Sequence, residues 1–165
     1  MVDYSLGAAP TGHMEFSHFL NSHLLDPTIG AKRLYWEMLE QAVHAETCGY
    51  QGVSIPEHHL VNILLIPSPL QFAVKVAAHT ESVEIATSVC QLPLRDIRVF
   101  AGEVIQAQTL CSGRLILGVG KGAFAYETER MGVSFDSTKE RFEESLQVLE
   151  ALLSRENVGW DGEYY

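Results

Sequence analysis

The stretch Gly52-Val53-Ser54-Ile55-Pro56-Glu57-His58-His59 joins a short apolar run to a segment of proton-carrying side chains. Residues 52–55 form a run that is short and apolar enough to be a buried parallel strand. Proteins of the α/β class place their active sites at the carboxyl ends of such strands. A histidine there can exchange a proton near neutral pH, and a neighbouring glutamate can orient its ring. The stretch therefore predicts an α/β fold with His58 as a candidate catalytic residue and Glu57 as its support.

Two other interpretations of residues 56–59 stay open at this point. The segment can be a surface loop with two ordinary histidines, because short motifs of this kind also arise by chance. It can also supply two metal ligands, although the sequence carries no helical His-x-x-x-His pattern and no third ligand at a suitable spacing. We therefore predict no metal site.

Outward from this stretch, short apolar runs alternate with helical patterns along the chain. The predicted strands are residues 14–20, 52–55, 83–89 and 114–119. The predicted helices carry apolar side chains at the spacing of an amphipathic helix. These stripes are Tyr35-Met38-Leu39-Ala42, Leu70-Ala73-Val74-Ala77, Phe100-Val104-Ala107-Cys111 and Phe142-Leu146-Leu149-Leu153. The alternation implies right-handed βαβ crossovers and a parallel sheet, but periodicity alone does not separate an open doubly wound sheet from a barrel.

A glycine-rich segment follows the last predicted strand, with the sequence Gly118-Val119-Gly120-Lys121-Gly122-Ala123. Glycines at a strand end let a ligand approach the backbone closely, and Lys121 is placed to meet an anionic group such as a phosphate. The segment also fits the form G-x-G-x-x-A of a dinucleotide fingerprint. That interpretation is disfavoured, because the segment follows the fourth strand instead of the first and does not open a helix at once.

The composition narrows the range of partners and compartments. The 21 acidic residues exceed the 11 Lys and Arg residues, and the net charge of −10 argues against a nucleic-acid partner. The three cysteines form no disulfide framework, so a reducing, cytoplasmic setting fits best. No apolar run approaches the about 20 residues that cross a bilayer, and we expect no membrane association.

Four segments, taken in order, resemble the luciferase-like flavin monooxygenases. These are residues 56–59, 80–95, 113–122 and 141–145, and the resemblance extends from residue 13 to residue 165. The family has a (β/α)8 TIM barrel with a flavin at its carboxyl end, so the resemblance favours a barrel over an open sheet. The 165 residues then supply the first four β/α units, as the N-terminal half of one barrel domain.

The resemblance also implies roles for particular residues. His58 falls at a catalytic histidine beside the flavin ring, and Ser88 and Val89 fall at a non-prolyl cis peptide that lies against the ring. Gly120 stands where bacterial luciferase has a reactive cysteine, which argues against light emission. The residues that the resemblance assigns to the flavin site are Ser88, Val89, Gly120, Lys121 and Gly122, with Lys121 at a basic residue that contacts the phosphate.

The function implied by the resemblance is that of a two-component monooxygenase. It uses reduced FMN, delivered by a separate flavin reductase, and oxygen to oxidise a small organic substrate, and it forms a homo-oligomer. FAD and deazaflavin are the alternative cofactors. A deazaflavin-dependent hydride transfer and a flavin-binding protein without turnover are the alternative functions. Residues 123–136 are expected to cover the site.

Several remaining residues favour ordinary structural roles. His13, His18 and His23 surround the first predicted strand and are either pocket residues or surface histidines. Five glutamates are expected to form a solvated face: Glu127, Glu129, Glu140, Glu143 and Glu144. Cys90 is expected to be a small buried residue.

Overall fold

The computed structural model describes residues 14–165, so that His13 lies outside the described residues. Within these residues the chain forms six strands and five α-helices. The strands are β1 (Ser17–Phe19), β2 (Gly52–Ile55), β3 (Glu84–Thr87), β4 (Cys90–Gln91), β5 (Leu115–Ile116) and β6 (Val119–Gly120). The helices are α1 (Gly30–Thr47), α2 (Pro69–Ala77), α3 (Ile97–Leu110), α4 (Ala125–Arg130) and α5 (Thr138–Ser154). Short 3-10 turns occupy Pro27–Ile29, Leu92–Leu94 and Phe135–Ser137.

The main sheet contains β1, β2, β3 and β5 in that order, and every neighbouring pair is parallel. This confirms the prediction that the four strands are consecutive parallel neighbours. A second, two-stranded parallel sheet pairs β4 with β6 and continues the strand ends of β3 and β5.

The two faces of the main sheet differ in their surroundings. One cross-strand row consists of His18, Val53, Ile85 and Leu115, and the neighbouring row on the other face consists of Phe19, Ser54, Ala86 and Ile116. Helices α1 and α2 pack against the strands, and Val53 and Ile85 are fully buried. On the opposite face Phe19 is 49% exposed and Ile116 is 47% exposed. The described helices therefore cover one face of the sheet, unlike those of an open doubly wound fold.

The helical stripes predict the core well in the first half of the chain. Met38, Leu39 and Ala42 of α1 are buried in the hydrophobic core. In α5 the stripe is partly wrong, because Leu153 is 42% exposed while Ser145 and Ala151 are buried. Ser145 is polar, so its burial does not follow from the apolar periodicity of the sequence.

The predicted strand 114–119 is interrupted in the structure. Thr87 Oγ1 donates to the carbonyl of Gly118 at 2.8 Å, and the amide of Gly118 donates to Thr87 Oγ1 at 2.9 Å. The threonine hydroxyl thus takes the place of a backbone acceptor for the Gly118 amide, while the Gly118 carbonyl also accepts from the amide of Cys90. The strand ends at Ile116, and the chain pairs again only from Val119.

Arg114 and Glu46 hold the loop that leads into β3. The guanidinium of Arg114 donates to the carbonyls of Ala77, Thr80 and Val83 and to Thr80 Oγ1, at 2.9 to 3.2 Å. Arg114 thereby satisfies carbonyls at the C-terminal end of α2, which has no intrahelical donors for them.

Within residues 14–165, no helix is long and apolar enough to cross a membrane.

Candidate active site

The predicted site residues meet in one cavity of about 300 Å³ at the carboxyl ends of β2, β3 and β6. Its lining includes all seven of them: Glu57, His58, Ser88, Val89, Gly120, Lys121 and Gly122. Gln91, Ala123, Phe124 and Glu127 complete the wall. The strands bring these residues together because parallel strands present their carboxyl ends at a common edge of the sheet.

A larger depression of about 470 Å³ lies between α1 and α2, around Trp36 and Phe72. Its wall contains two lysines, Lys32 and Lys75, but neither a histidine nor a carboxylate. Proton-transfer chemistry requires titratable groups suited to neutral pH, and these converge in the smaller cavity. We therefore place the candidate active site there.

The peptide bond between Ser88 and Val89 is cis, as the resemblance implies. Val89 packs against Gly120, where a Cβ atom would lie 2.6 Å from Val89 Cγ2. A Cβ on Gly118 would lie 2.0 Å from the carbonyl oxygen of Thr87. Glycine is therefore required at positions 118 and 120 because the neighbouring strand segment leaves no room for a Cβ atom. The sequence alone does not reveal this close approach.

The partner of His58 is Glu127. His58 Nδ1 lies 2.9 Å from Glu127 Oε1, and the side chain of Glu127 is 1% exposed. Glu127 belongs to α4 and is separated from His58 by 69 residues. The prediction that Glu127 belongs to a solvated face is therefore wrong, because α4 turns this one acidic side chain into the cavity wall.

Glu57 has different partners from those expected. Its carboxylate forms an ion pair with the guanidinium of Arg95, and its Oε1 lies 2.6 Å from His59 Nε2. The side chain of Glu57 is completely buried. Glu57 therefore supports His59 and not His58, whose hydrogen-bond partner is Glu127.

Gln91 connects the two carboxylates. Its Nε2 donates to the carbonyl of Glu57 and to Glu127 Oε2, both at 3.3 Å. Its backbone amide donates to Glu57 Oε2 at 3.3 Å. Gln91 Oε1 is buried without a protein partner and lies against Gly122. The network runs from Arg95 through Glu57, Gln91 and Glu127 to His58.

An aromatic edge borders the cavity beside His58. The rings of His58 and Phe124 are 5.8 Å apart, and those of Phe124 and Tyr126 are 5.7 Å apart. Phe124 is 43% exposed. Lys121 is exposed at the cavity, and its Nζ lies 4.9 Å from the centre of the Phe135 ring. The cavity therefore offers apolar surface and one flexible cation.

The other candidates lie elsewhere or are inert. His18 contacts Gln41 of α1 and the ring of Tyr50, and His23 contacts Asn21, so neither lines the cavity. Cys90 is fully buried, as expected. Burial first, and then the charge of Glu57, raise the pKa of its thiol to about 12. Among the described residues, no group of three or more His, Cys, Asp or Glu side chains is arranged to hold a metal ion.

The sequence model of one family, described as luciferase-like monooxygenase, matches residues 14–165. The chain belongs to this family. Within the family, it is 29% identical over 153 residues to the oxygenase component of flavin-dependent trigonelline monooxygenase from Acinetobacter baylyi, which covers 92% of this chain and 41% of that protein. It is 36% identical over 138 residues to an F420-dependent glucose-6-phosphate dehydrogenase from Kineococcus radiotolerans, which covers 78% of this chain and 40% of that protein.

The fold is shared with solved structures of similar enzymes. The oxygenating constituent of 3,6-diketocamphane monooxygenase from Pseudomonas putida, solved in complex with FMN, superposes with a TM-score of 0.85. It is 23% identical, and the match covers 92% of this chain and 42% of that one. The chain spans about two fifths of the length of the curated relatives it matches.

Proposed function

We propose that this protein is a flavin-dependent monooxygenase, which uses reduced FMN and oxygen to oxidise a small organic substrate. The observation that carries the proposal is the convergence of His58, Val89 and Lys121 on one cavity at the strand ends. The name of the relative from Acinetobacter baylyi describes a flavin-dependent monooxygenase, which supports the same chemistry here.

The cavity has the features that a flavin needs. Val89 is 37% exposed and offers an apolar surface for a planar ring. Ser88, Gly120 and Gly122 line the same cavity and would contact the cofactor, and Lys121 would bind its phosphate. Lysine supplies a single flexible charge to a phosphate, without the two parallel hydrogen bonds of arginine.

The residues of the chain supply orientation, a dry environment and proton handling. When bound, reduced FMN supplies the electrons that activate oxygen. His58 holds or moves a proton at the face of the cavity. Ala123, Phe124 and Glu127 line the cavity, and residues 123–136, which include α4, would cover it and limit the access of water. Glu57 acts on the site through Arg95 and His59, with which it is paired.

A deazaflavin-dependent hydride transfer is the second candidate function. The specific observation in its favour is the relative from Kineococcus radiotolerans, whose name describes an F420-dependent dehydrogenase and which is 36% identical. A flavin-binding protein without turnover is the third candidate.

The proposal extends to the architecture and the partners. We place the chain in the N-terminal half of a (β/α)8 TIM barrel, of which it supplies four β/α units. The helices on one face of the main sheet support this placement, because a barrel carries its helices outside and its open face inside. A separate flavin reductase, a homo-oligomeric state and a cytoplasmic setting belong to the same proposal.

The experiment is a binding titration followed by a turnover assay. The protein is titrated with FMN and with a deazaflavin, and absorption spectra report which one binds. Oxygen consumption with chemically reduced FMN then separates an oxygenase from a carrier. Failure to bind FMN would contradict the proposal, and binding of the deazaflavin alone would favour the second candidate.

Matched variants connect the titration to the cavity. Lys121→Ala is expected to raise the Kd for FMN about 10-fold, because a charge-assisted hydrogen bond to the phosphate is lost. Lys139→Ala on α5 is the control, because Lys139 is 71% exposed and pairs with Glu143 away from the cavity lining. Equal Kd values for the two variants would remove Lys121 from the flavin site. Turnover that is unchanged in His58→Ala would remove the role of His58.

A further inference from the structure

The hydrogen bond between His58 and Glu127 determines which nitrogen of His58 carries a proton. An ionised carboxylate only accepts hydrogen bonds, so Nδ1 must donate to Glu127 Oε1, 2.9 Å away. A neutral His58 then has its free lone pair on Nε2. None of the described residues forms a hydrogen bond with His58 Nε2, and His58 lines the cavity. The proton-accepting nitrogen is therefore the one available to a bound molecule.

Glu127 is itself held in place. Its side chain is 1% exposed, and its Oε2 accepts a hydrogen bond from Gln91 Nε2 at 3.3 Å. The second hydrogen of the same Nε2 goes to the carbonyl of Glu57, so the amide of Gln91 cannot flip without losing both bonds. Glu127 thus has one oxygen fixed by Gln91 and the other directed at His58.

The two histidines of the site contact carboxylates in different electrostatic environments. Glu57 is neutralised by the permanent charge of Arg95, whereas the only ionisable partner of Glu127 among the described residues is His58. His59 uses Nε2, not Nδ1, to contact its carboxylate. When His58 gains a proton at Nε2, the resulting positive charge is stabilised by Glu127, while His59 faces a carboxylate that is already paired.

We propose that Glu127 is the positioning residue of the site, and that it fixes His58 as the Nδ1–H tautomer with Nε2 as the proton acceptor. Glu127 does not touch the reacting atoms and acts only through His58. The catalytic consequence rests on the proposed function, whereas the tautomer is a property of the protein itself.

The test is ¹⁵N NMR of the histidine side chains in the purified protein. Protonated and unprotonated ring nitrogens have well separated shifts, and His58 is assigned by the signal that is lost in His58→Asn. In the unmodified protein at high pH, we expect a protonated Nδ1 and an unprotonated Nε2 for His58. A His58 that is protonated at Nε2 and free at Nδ1 would overturn the proposal, without recourse to any variant.

Glu127→Gln should reverse the tautomer. Gln91 Nε2 still needs an acceptor, so the new amide turns its oxygen to Gln91 and its NH2 group to His58 Nδ1, which must then accept. Glu129→Gln is the matched control, because Glu129 lies two positions along α4 and is exposed. Glu57→Gln should leave the His58 tautomer unchanged and alter only the His59 signals. A His58 tautomer that responds to Glu57→Gln and not to Glu127→Gln would overturn the proposal.

A kinetic measurement tests the catalytic consequence separately. Glu127→Gln is expected to lower kcat on the order of 10²-fold with little change in KM, the usual size of a general acid–base contribution. A reversed tautomer with unchanged kcat would show that Glu127 orients His58 but that the proposed function assigns His58 the wrong role. An absence of monooxygenase turnover in the unmodified protein would reject the proposed function and leave the NMR result standing.

Discussion

At the scale of single residues, the buried pair of Glu57 and Arg95 has the largest energetic consequence. Glu57 is fully buried, so its ionised form depends on the guanidinium beside it. Arg95→Met is expected to lower the free energy of unfolding by about 3–5 kcal/mol, because it leaves a buried charge without a partner. Urea unfolding followed by circular dichroism measures this change.

Arg98 provides the control for Arg95. It is 73% exposed and pairs with Asp96 at the start of α3, so Arg98→Met is expected to cost less than about 1 kcal/mol. Combining Arg95→Met with Glu57→Gln should recover part of the loss, since the unpaired charge is then removed. Equal losses for Arg95→Met and Arg98→Met would mean that Glu57 does not depend on Arg95.

The sequence predicts some of these residues and not others, for a physical reason. His58 stands out because a histidine follows directly on a buried strand. Glu127 does not, because its burial depends on a short helix whose six residues carry no clear apolar stripe. Gln91 and Arg95 are ordinary polar residues in sequence, and only the position of Glu57 between them makes them part of the site.

At the scale of elements, the glycines explain how the strand ends fit together. A Cβ at position 118 would lie 2.0 Å from the carbonyl oxygen of Thr87, which is backbone and cannot move away cheaply. Gly118→Ala is therefore expected to lower the free energy of unfolding by about 1–3 kcal/mol, the usual cost of overpacking. Thermal unfolding reports the change.

Gly102→Ala should have the opposite sign. Gly102 lies inside α3, and a Cβ there would meet no atom within 4 Å. Alanine is favoured over glycine in a helix by about 0.5–1 kcal/mol, so this variant should be more stable. If Gly118→Ala and Gly102→Ala shifted the midpoint of thermal unfolding in the same direction, the tight fit at Gly118 would not explain the effect of Gly118→Ala.

The hydrogen bonds that link α1 to the loop before β3 make the stability of the fold depend on pH, because their acceptor is the carboxylate of Glu46. Its carboxylate accepts hydrogen bonds from the amides of Glu81, Ser82 and Val83 and from Ser82 Oγ, at 2.6 to 3.1 Å. Desolvation opposes the charge, but the hydrogen bonds from Ser82 and Val83 outweigh it and lower the pKa of Glu46 below 4.5. The stabilisation is thus fully present above pH 4.5 and is lost as the pH falls through the lowered pKa.

The matching measurement compares Glu46→Gln with the unmodified protein across this range. At neutral pH the variant should be less stable by about 1 kcal/mol, the net value of hydrogen bonds at an accessible site. The difference should shrink as the pH falls below 4.5, where the unmodified carboxylate also loses its charge. Glu40→Gln on the exposed side of α1 is the control. A difference that is constant from neutral to acidic pH would refute the electrostatic account.

Elements differ in how far the sequence predicts them. The strand 52–55 has the predicted bounds because three of its four residues, Gly52, Val53 and Ile55, are buried. The strands predicted at 83–89 and 114–119 are shorter in the structure, because the hydrogen bonds between Thr87 and Gly118 replace the regular ladder. Such side-chain interruptions depend on contacts between distant segments, so local periodicity does not contain them.

At the scale of the whole molecule, the alternation of strand and helix in the sequence predicts the parallel order of the main sheet. The difference in burial between its two faces depends on which face the helices cover. Val53 and Ile85 face the helices and are fully buried, while Phe19 and Ile116 remain about half exposed on the other face. The sequence shows which residues alternate, but periodicity alone does not say whether the second face curves inward. The proposed barrel is consistent with the described helices, which cover only the face that carries Val53 and Ile85.

The exposed face of the sheet has a measurable consequence for the 165-residue chain in solution. The edge strands β1 and β5 carry Phe19 and Ile116 on this face, where they are 49% and 47% exposed. Apolar side chains on a solvent-exposed sheet face, together with edge strands that lack a neighbouring strand, favour association between chains. Sedimentation velocity should therefore show a mass above 18.3 kDa that rises with concentration.

Phe19→Lys and Ile116→Lys should shift the distribution towards the monomer. Val99→Lys is the control, because Val99 is 60% exposed but lies on α3. A monomer at every concentration, or an equal effect of all three substitutions, would show that this face does not drive association.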